Sequence, residues 1–114
     1  MINKDIQFTI ENGIFTLFGS LVSEDAKYFF QPAINKLKLI VAGKRDLIFN
    51  FKFDYYNTSA TIYITEIVDL LETLSFFARV KINWFYIKSD EIIQELGEMY
   101  QETSRIKINL IEIK

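Results

Sequence analysis

The sequence predicts an α/β fold: one mixed five-stranded sheet in the order β-β-α-β-α-β-α-β, with the helices mainly on one face. Three observations lead there. Apolar residues recur at every second position in several short stretches, as half-buried strands require. Between the later stretches the apolar residues fall at steps of three and four, which marks one helix face turned to a core. Three strands also share a polar register, Asn50 and Lys52, Lys81 and Asn83, Lys107 and Asn109. A sheet covered on both faces would read as continuous apolar runs instead, so one face is left largely wet.

Each element has its own signal. Ile6, Phe8 and Ile10 alternate with Gln7 and Thr9, Asn12-Gly13 interrupts, and Ile14 to Phe18 resumes, which predicts a hairpin. Ser23 with Glu24 and Asp25 starts a helix whose buried stripe is Ala26, Phe30, Ala33, Leu37 and Ile40, and Gly43 is placed to stop it. Pro32 within that stripe removes one backbone bond, so a bend or break is expected near Phe30 and Gln31. Leu47, Phe49, Phe51, Phe53 and Tyr55 form the central strand, with Ile48, Asn50, Lys52 and Asp54 on its other face. Beyond Ser59 the period changes, and Ala60, Ile64, Ile67, Leu71 and Leu74 predict a helix. Val80, Ile82, Trp84 and Tyr86 give a fourth strand, and Ser89-Asp90-Glu91 caps a third helix running to about Thr103, with Ile93, Leu96 and Tyr100 inward. Gly97 in that helix costs about 1 kcal/mol relative to Ala, which points to a close approach by a neighbouring element. Ile106, Ile108 and Leu110 predict the last strand. The later strand-helix-strand units should be parallel crossovers.

Composition narrows the function. A chain of 114 residues is the size of one domain, 1–114, and half of it is apolar, with 11 Phe, 6 Tyr and Trp84 as core material. The net charge of −2, with both signs interspersed, supplies no basic field for a nucleic-acid backbone. Lys52, Lys81, Lys107 and Phe85 share the open face, but without an aromatic run of the RNA-reading type they do not make an RNA-binding sheet. There is no His and no Cys, so the commonest general base, the usual imidazole metal ligand and the thiolate nucleophile are missing. The pairs Glu66 and Asp69, and Glu95 and Glu98, read as solvated surface charge rather than catalytic carboxylates. We therefore expect a non-enzymatic protein with no metal and no cofactor. No stretch is long and apolar enough to span a membrane, and a soluble, cytoplasmic protein is expected, monomeric or a weak homodimer.

The junction of strand and helix, Asn57-Thr58-Ser59, is the candidate site. At about 100 degrees per residue, Thr58, Ile62, Thr65 and Asp69 fall in one row opposite the buried stripe. Two readings stay open. Asn57 or Thr58 can simply cap the helix, which would leave a constitutive interaction module. Alternatively, a hydroxyl at a helix N-terminus can carry a phosphate that meets free N–H groups and the positive end of the dipole. Ile62, an apolar residue in an otherwise polar row, places Ile62, Thr65 and Asp69 on a candidate partner-docking surface.

DYYNTSA before a long helix, GSLVSEDAKYFFQP upstream and NWFYIKSDEIIQELGEMY downstream resemble, in that order, the SiaC family of bacterial regulatory phosphoproteins over about Gly13 to Ile113. The most specific part is the run Tyr56-Asn57-Thr58-Ser59. The resemblance implies a STAS-like fold, similar to anti-sigma-factor antagonists, and phosphorylation on Thr58, with Tyr55, Tyr56, Asn57 and Ser59 as neighbours. It also implies three protein partners. These are a dedicated protein kinase, a PP2C-type phosphatase, and a diguanylate cyclase that the unphosphorylated form binds and activates, in c-di-GMP signalling and biofilm control. The chain departs from the family pattern at Gly19-Ser20-Leu21 in place of Gly-Arg-Ser, at Ile62 in place of a lysine, and at Ile87-Lys88-Ser89-Asp90-Glu91 in place of a strongly acidic run. These departures bear on partner choice.

Overall fold

The structure, a computed structural model, describes residues 7–20, 31–32, 34–39, 46–55 and 61–113; residues 7, 8, 20, 54 and 55 are described by backbone only. The chain opens with β1 (Gln7–Glu11) and β2 (Ile14–Ser20), an antiparallel hairpin. Its two-residue turn, Asn12 at φ 52° and Gly13 at φ 80°, has both residues in the left-handed region. That turn matches the twist of the flanking strands. Helical residues 31–32 and 34–39 follow, and we call 34–39 α1. Gln31 and Pro32 are thus helical, whereas Phe30, where a break was expected, lies outside the described residues, as do Ala26, Ala33, Ile40 and Gly43.

The remaining elements are β3 (Asp46–Tyr55), α2 (Thr61–Leu74), β4 (Arg79–Ile87), α3 (Glu91–Thr103) and β5 (Ile108–Ile113). The five strands lie side by side in sequence order, and every pair after the hairpin is parallel. This is the mixed sheet that the alternating stretches predict. Ile106 is a correction to the last strand. It is buried but precedes β5, because its N–H is bonded to the Ser104 hydroxyl (3.1 Å) and residues 105–106 form a bend.

All the helices feed one core. Ile34 and Leu37 of α1, Ile64, Ile67, Val68 and Leu71 of α2, and Ile93, Leu96 and Tyr100 of α3 meet Phe15, Leu17, Phe49, Phe51, Phe53, Ile82 and Trp84 of the sheet. Trp84 is at its centre, with ring centroids 5.1 Å from Phe51, 5.7 Å from Phe53 and 5.8 Å from Tyr100. Its indole N–H donates to the Ile93 carbonyl at 2.9 Å, so the largest core side chain leaves no polar atom unpaired. Burying each such ring contributes about 1.5–3 kcal/mol. Asp90 caps α3 by accepting from the Ile93 N–H at 3.1 Å, as its sequence predicts.

The opposite sheet face carries the polar register. Thr16, Asn50, Asn83 and Asn109 stand opposite one another on four successive strands. Asn109 donates to Asn83 (3.1 Å), Asn83 to Asn50 (2.9 Å) and Asn50 to Thr16 (3.4 Å), a one-way ladder of amides across the sheet. Among the described residues no helix covers this face.

Candidate functional site

Strand β3 ends at Tyr55 and α2 is described from Thr61, on either side of the expected change of hydrophobic period. Tyr56, Asn57, Thr58 and Ser59 themselves lie outside the described residues, and Tyr55 is described by backbone only. The structure therefore positions the two elements that flank Thr58. What it defines in atomic detail is the surface of α2 that follows.

That surface is set by which side of α2 meets its neighbours. Ile64, Ile67, Val68 and Leu71 face the sheet. The side toward α3 is polar and occupied: the Tyr100 hydroxyl donates to the Thr61 carbonyl at 3.4 Å and shares a 2.8 Å bond with the Thr65 hydroxyl. Burial pushes the Tyr100 phenol above its ordinary pKa; the bond with Thr65 opposes the shift and the Asp69 carboxylate adds to it. One helix turn beyond Asp69, the Glu72 carboxylate accepts from the Ser104 hydroxyl (3.1 Å) and the Arg105 N–H (2.6 Å). This clasp ties the C-terminal half of α2 to the α3–β5 connection, where Arg105 also lies over the Phe76 ring at 4.1 Å.

The exposed stripe of α2 is therefore Ile62, Glu66, Asp69 and Thr73. Ile62 is 62% exposed, a large apolar side chain at the start of an otherwise polar row. Thr65 is a correction to the expected row: it is half-buried, and its hydroxyl is spent on Tyr100 rather than offered to solvent. The row extrapolated from Thr58 needed a step of three residues after Ile62, whereas the helix exposes the step of four, Glu66. Glu66 and Asp69 are both exposed, as a solvated acidic pair is expected to be. Neither Glu72 nor Tyr100 was singled out as a helix tether by sequence; a signal existed only in the polar residues at Ser104 and Thr65, which no periodicity links. Among the described residues no cluster of three or more His, Cys, Asp or Glu side chains could hold a metal ion, and no helix is long and apolar enough to cross a membrane.

Three comparisons bear on this geometry. A family model described as SiaC family regulatory phosphoprotein matches residues 3–113. An uncharacterised protein of Pseudomonas aeruginosa strain UCBPP-PA14 is 29% identical over 99 residues, spanning 85% of this chain and 79% of that protein. Among solved structures, a chain in the complex of the diguanylate cyclase SiaD with its activator SiaC from Pseudomonas aeruginosa superposes with a TM-score of 0.82 at 25% identity, covering 95% of this chain and 90% of that one. SiaC of Pseudomonas aeruginosa in a second structure gives a TM-score of 0.77 at 24% identity over 89% of this chain and 83% of that one, a likeness of fold.

Proposed function

Because the chain belongs to the SiaC family of regulatory phosphoproteins, we propose that it is a non-enzymatic switch whose phosphoacceptor is Thr58 and whose unphosphorylated form binds and regulates a protein effector. The observation that carries this reading is the exposed α2 stripe opened by Ile62, four residues after Thr58 in a chain that matches the family over residues 3–113. A hydroxyl directly ahead of a helix is chemically suited to phosphorylation, since the free N–H groups and dipole of the helix stabilise the added charge. The effector proposed is a diguanylate cyclase, by analogy with SiaC, which activates SiaD. A cognate protein kinase and a PP2C-type phosphatase would set the phosphorylated fraction, in the cytoplasm. Asn57 and Ser59 are proposed as capping neighbours of Thr58, with Tyr55 and Tyr56 bracing the turn from the strand. Ile62 and Asp69 are proposed as docking residues; Thr65 supports them from behind through Tyr100.

Intact mass of the protein purified from its native host, with and without Thr58→Ala, is the direct test. One phosphate that disappears in Thr58→Ala is expected. No phosphate under any growth condition would favour the constitutive module in which Asn57-Thr58-Ser59 only caps α2. The pair Ile62→Glu and Asp69→Lys should leave the melting temperature nearly unchanged, because both side chains are exposed. The same pair should abolish co-purification of the effector.

A further inference from the structure

The open sheet face is not flat. At the C-terminal ends of the parallel strands it holds a concavity of about 370 Å³, with Thr16, Phe18, Lys52, Phe85, Ile87 and Ile113 among its walls. Its origin lies where β2 pairs with β3. Gly19 adopts φ 111°, a left-handed conformation that disfavours any side chain, and the β2–β3 register slips between Gly19 and Ser20. The slip leaves Asp54 of β3 as an extra residue, since Gly19 pairs with Phe53 and Ser20 with Tyr55, and an irregularity of this kind bends the strand that carries it, which opens the sheet beside Phe18 and Lys52.

The chemistry of the walls is one-sided. Phe18, Phe85, Ile87 and Ile113 are apolar, and Ile87 and Ile113 remain 47% and 40% exposed although they are large hydrophobic side chains. Among the described wall residues Lys52 is the one cation, and none is a carboxylate. Its ammonium lies 4.6 Å from the centroid of the Phe85 ring and makes no ion pair among the described residues. Thr16, whose hydroxyl accepts from Asn50, and Tyr86 are the neutral polar residues of these walls, and Lys52 is the charged group there that can direct an anionic ligand. At about 30 Å³ per water, this space holds roughly a dozen water-sized atoms, and it falls in the ~300–1,000 Å³ range of small-molecule sites.

We propose that this concavity is a binding site for a small apolar monocarboxylate, an aliphatic or aromatic acid of roughly ten to twelve non-hydrogen atoms, whose carboxylate pairs with Lys52 while its body lies on Phe85, Phe18 and Ile113. A phosphorylated ligand fits less well. A dianionic group needs several converging donors, such as arginine or a helix N-terminus, and a single lysine supplies one point charge. Lys52 is exposed, so solvent screens its pairing with a carboxylate; the charge orients the ligand, and burial of the apolar body supplies most of the affinity.

Amide and side-chain methyl spectra of the full chain, titrated with octanoate below its micellar concentration and in parallel with octanol, test the proposal. Saturable shifts centred on Phe18, Lys52, Phe85 and Ile113 are expected with octanoate, and binding about two- to fivefold weaker with octanol. Lys52→Met should erase that preference without altering the melting temperature, since Lys52 is exposed. Ile113→Trp should fill the space and weaken both probes. Shifts that do not saturate, shifts spread over other faces, or an unchanged octanoate affinity in Lys52→Met would each overturn it.

Discussion

Replacing Gly97 by alanine is the sharpest probe of how tightly α3 is seated on the sheet. A Cβ built at Gly97 meets Trp84 Cδ1, lies 2.6 Å from Trp84 Nε1 and 2.8 Å from Leu110 Cδ2. Leu110 has a flexible end that can give way. Trp84 cannot: it is 1% exposed, wedged among Phe51, Phe53 and Tyr100, and its indole N–H is committed to the Ile93 carbonyl. Helix propensity alone favours Ala over Gly by about 1 kcal/mol. Against it stand about 1–3 kcal/mol for overpacking and about 1 kcal/mol if the indole shifts off Ile93. The net is a loss of about 1–3 kcal/mol, or roughly 5–15 °C in melting temperature for a domain of this size. Trp84 is the only tryptophan, so urea unfolding followed by its emission reads both stability and its environment. Glu95→Ala, on the exposed side of the same helix, serves as the control and should stay within about 0.5 kcal/mol. If Gly97→Ala equals or exceeds the parent in stability, the close approach is not what selects glycine there.

The tether between α2 and α3 gives two further expectations. Thr65→Val keeps the shape and removes the 2.8 Å bond to Tyr100, so it should cost about 0.5–1.5 kcal/mol, and the same change made on a Tyr100→Phe background should cost much less, as a double-mutant cycle would report. Tyr100 also predicts a pH dependence with a definite sign. Its folded pKa is raised, chiefly by burial; the contribution is thus complete below the ordinary tyrosine value of about 10 and is lost as pH rises from there through the folded value. Melting temperatures taken between neutral pH and pH 11 should fall more steeply for the parent than for Tyr100→Phe, and parallel slopes would refute the assignment.

How far the fold was legible depended on whether a feature is local. The alternation of Leu47, Phe49, Phe51 and Phe53 and the three-four spacing of Ile64, Ile67 and Leu71 report only which side of an element is dry, and both readings held because one core buries both. Val68, also buried, was missed because the apolar stripe of α2 is wider than the row chosen for it. Thr65 was misplaced for a related reason: an ideal helical row locates the side opposite the sheet, but nothing in the spacing says on which flank α3 will lie. Ile106 was drawn into the last strand by alternation, whereas Glu72, distant in sequence, holds Ser104 and Arg105 beside α2 as the chain bends. The polar register of Asn50, Asn83 and Asn109 was legible as an open face, but the amide ladder was not, since it exists only once the strands adopt one register. The slip in the β2–β3 register beside Gly19 left no periodic trace at all.

The tethers on α2 constrain how a phosphate at Thr58 would act. Thr61 and Thr65 are held by Tyr100 at one end of the helix and Glu72 by the α3–β5 turn at the other, so α2 is a braced element rather than a hinge. A switch there should work through local charge with the fold unmoved. The exposed stripe already carries Glu66 and Asp69, and a phosphate adds about −1.5 to −2 charges to a chain whose net charge is −2. If the partner were held mainly by long-range attraction to this acidic stripe, phosphorylation would strengthen binding, most of all at low salt. If the contact is instead anchored by Ile62 and excludes water, the phosphate must be desolvated against a surface shaped for a hydroxyl, at a cost of several kcal/mol. The 62% exposure of Ile62, a large apolar side chain with no place in the core, favours the second mechanism. Calorimetry of the phosphorylated and unmodified proteins with the effector, repeated across ionic strength, separates the two. Affinity should drop by orders of magnitude on phosphorylation at every salt concentration, with amide shifts confined to the β3–α2 junction. Tighter binding of the phosphorylated form at low salt, or shifts running through the whole sheet, would refute it.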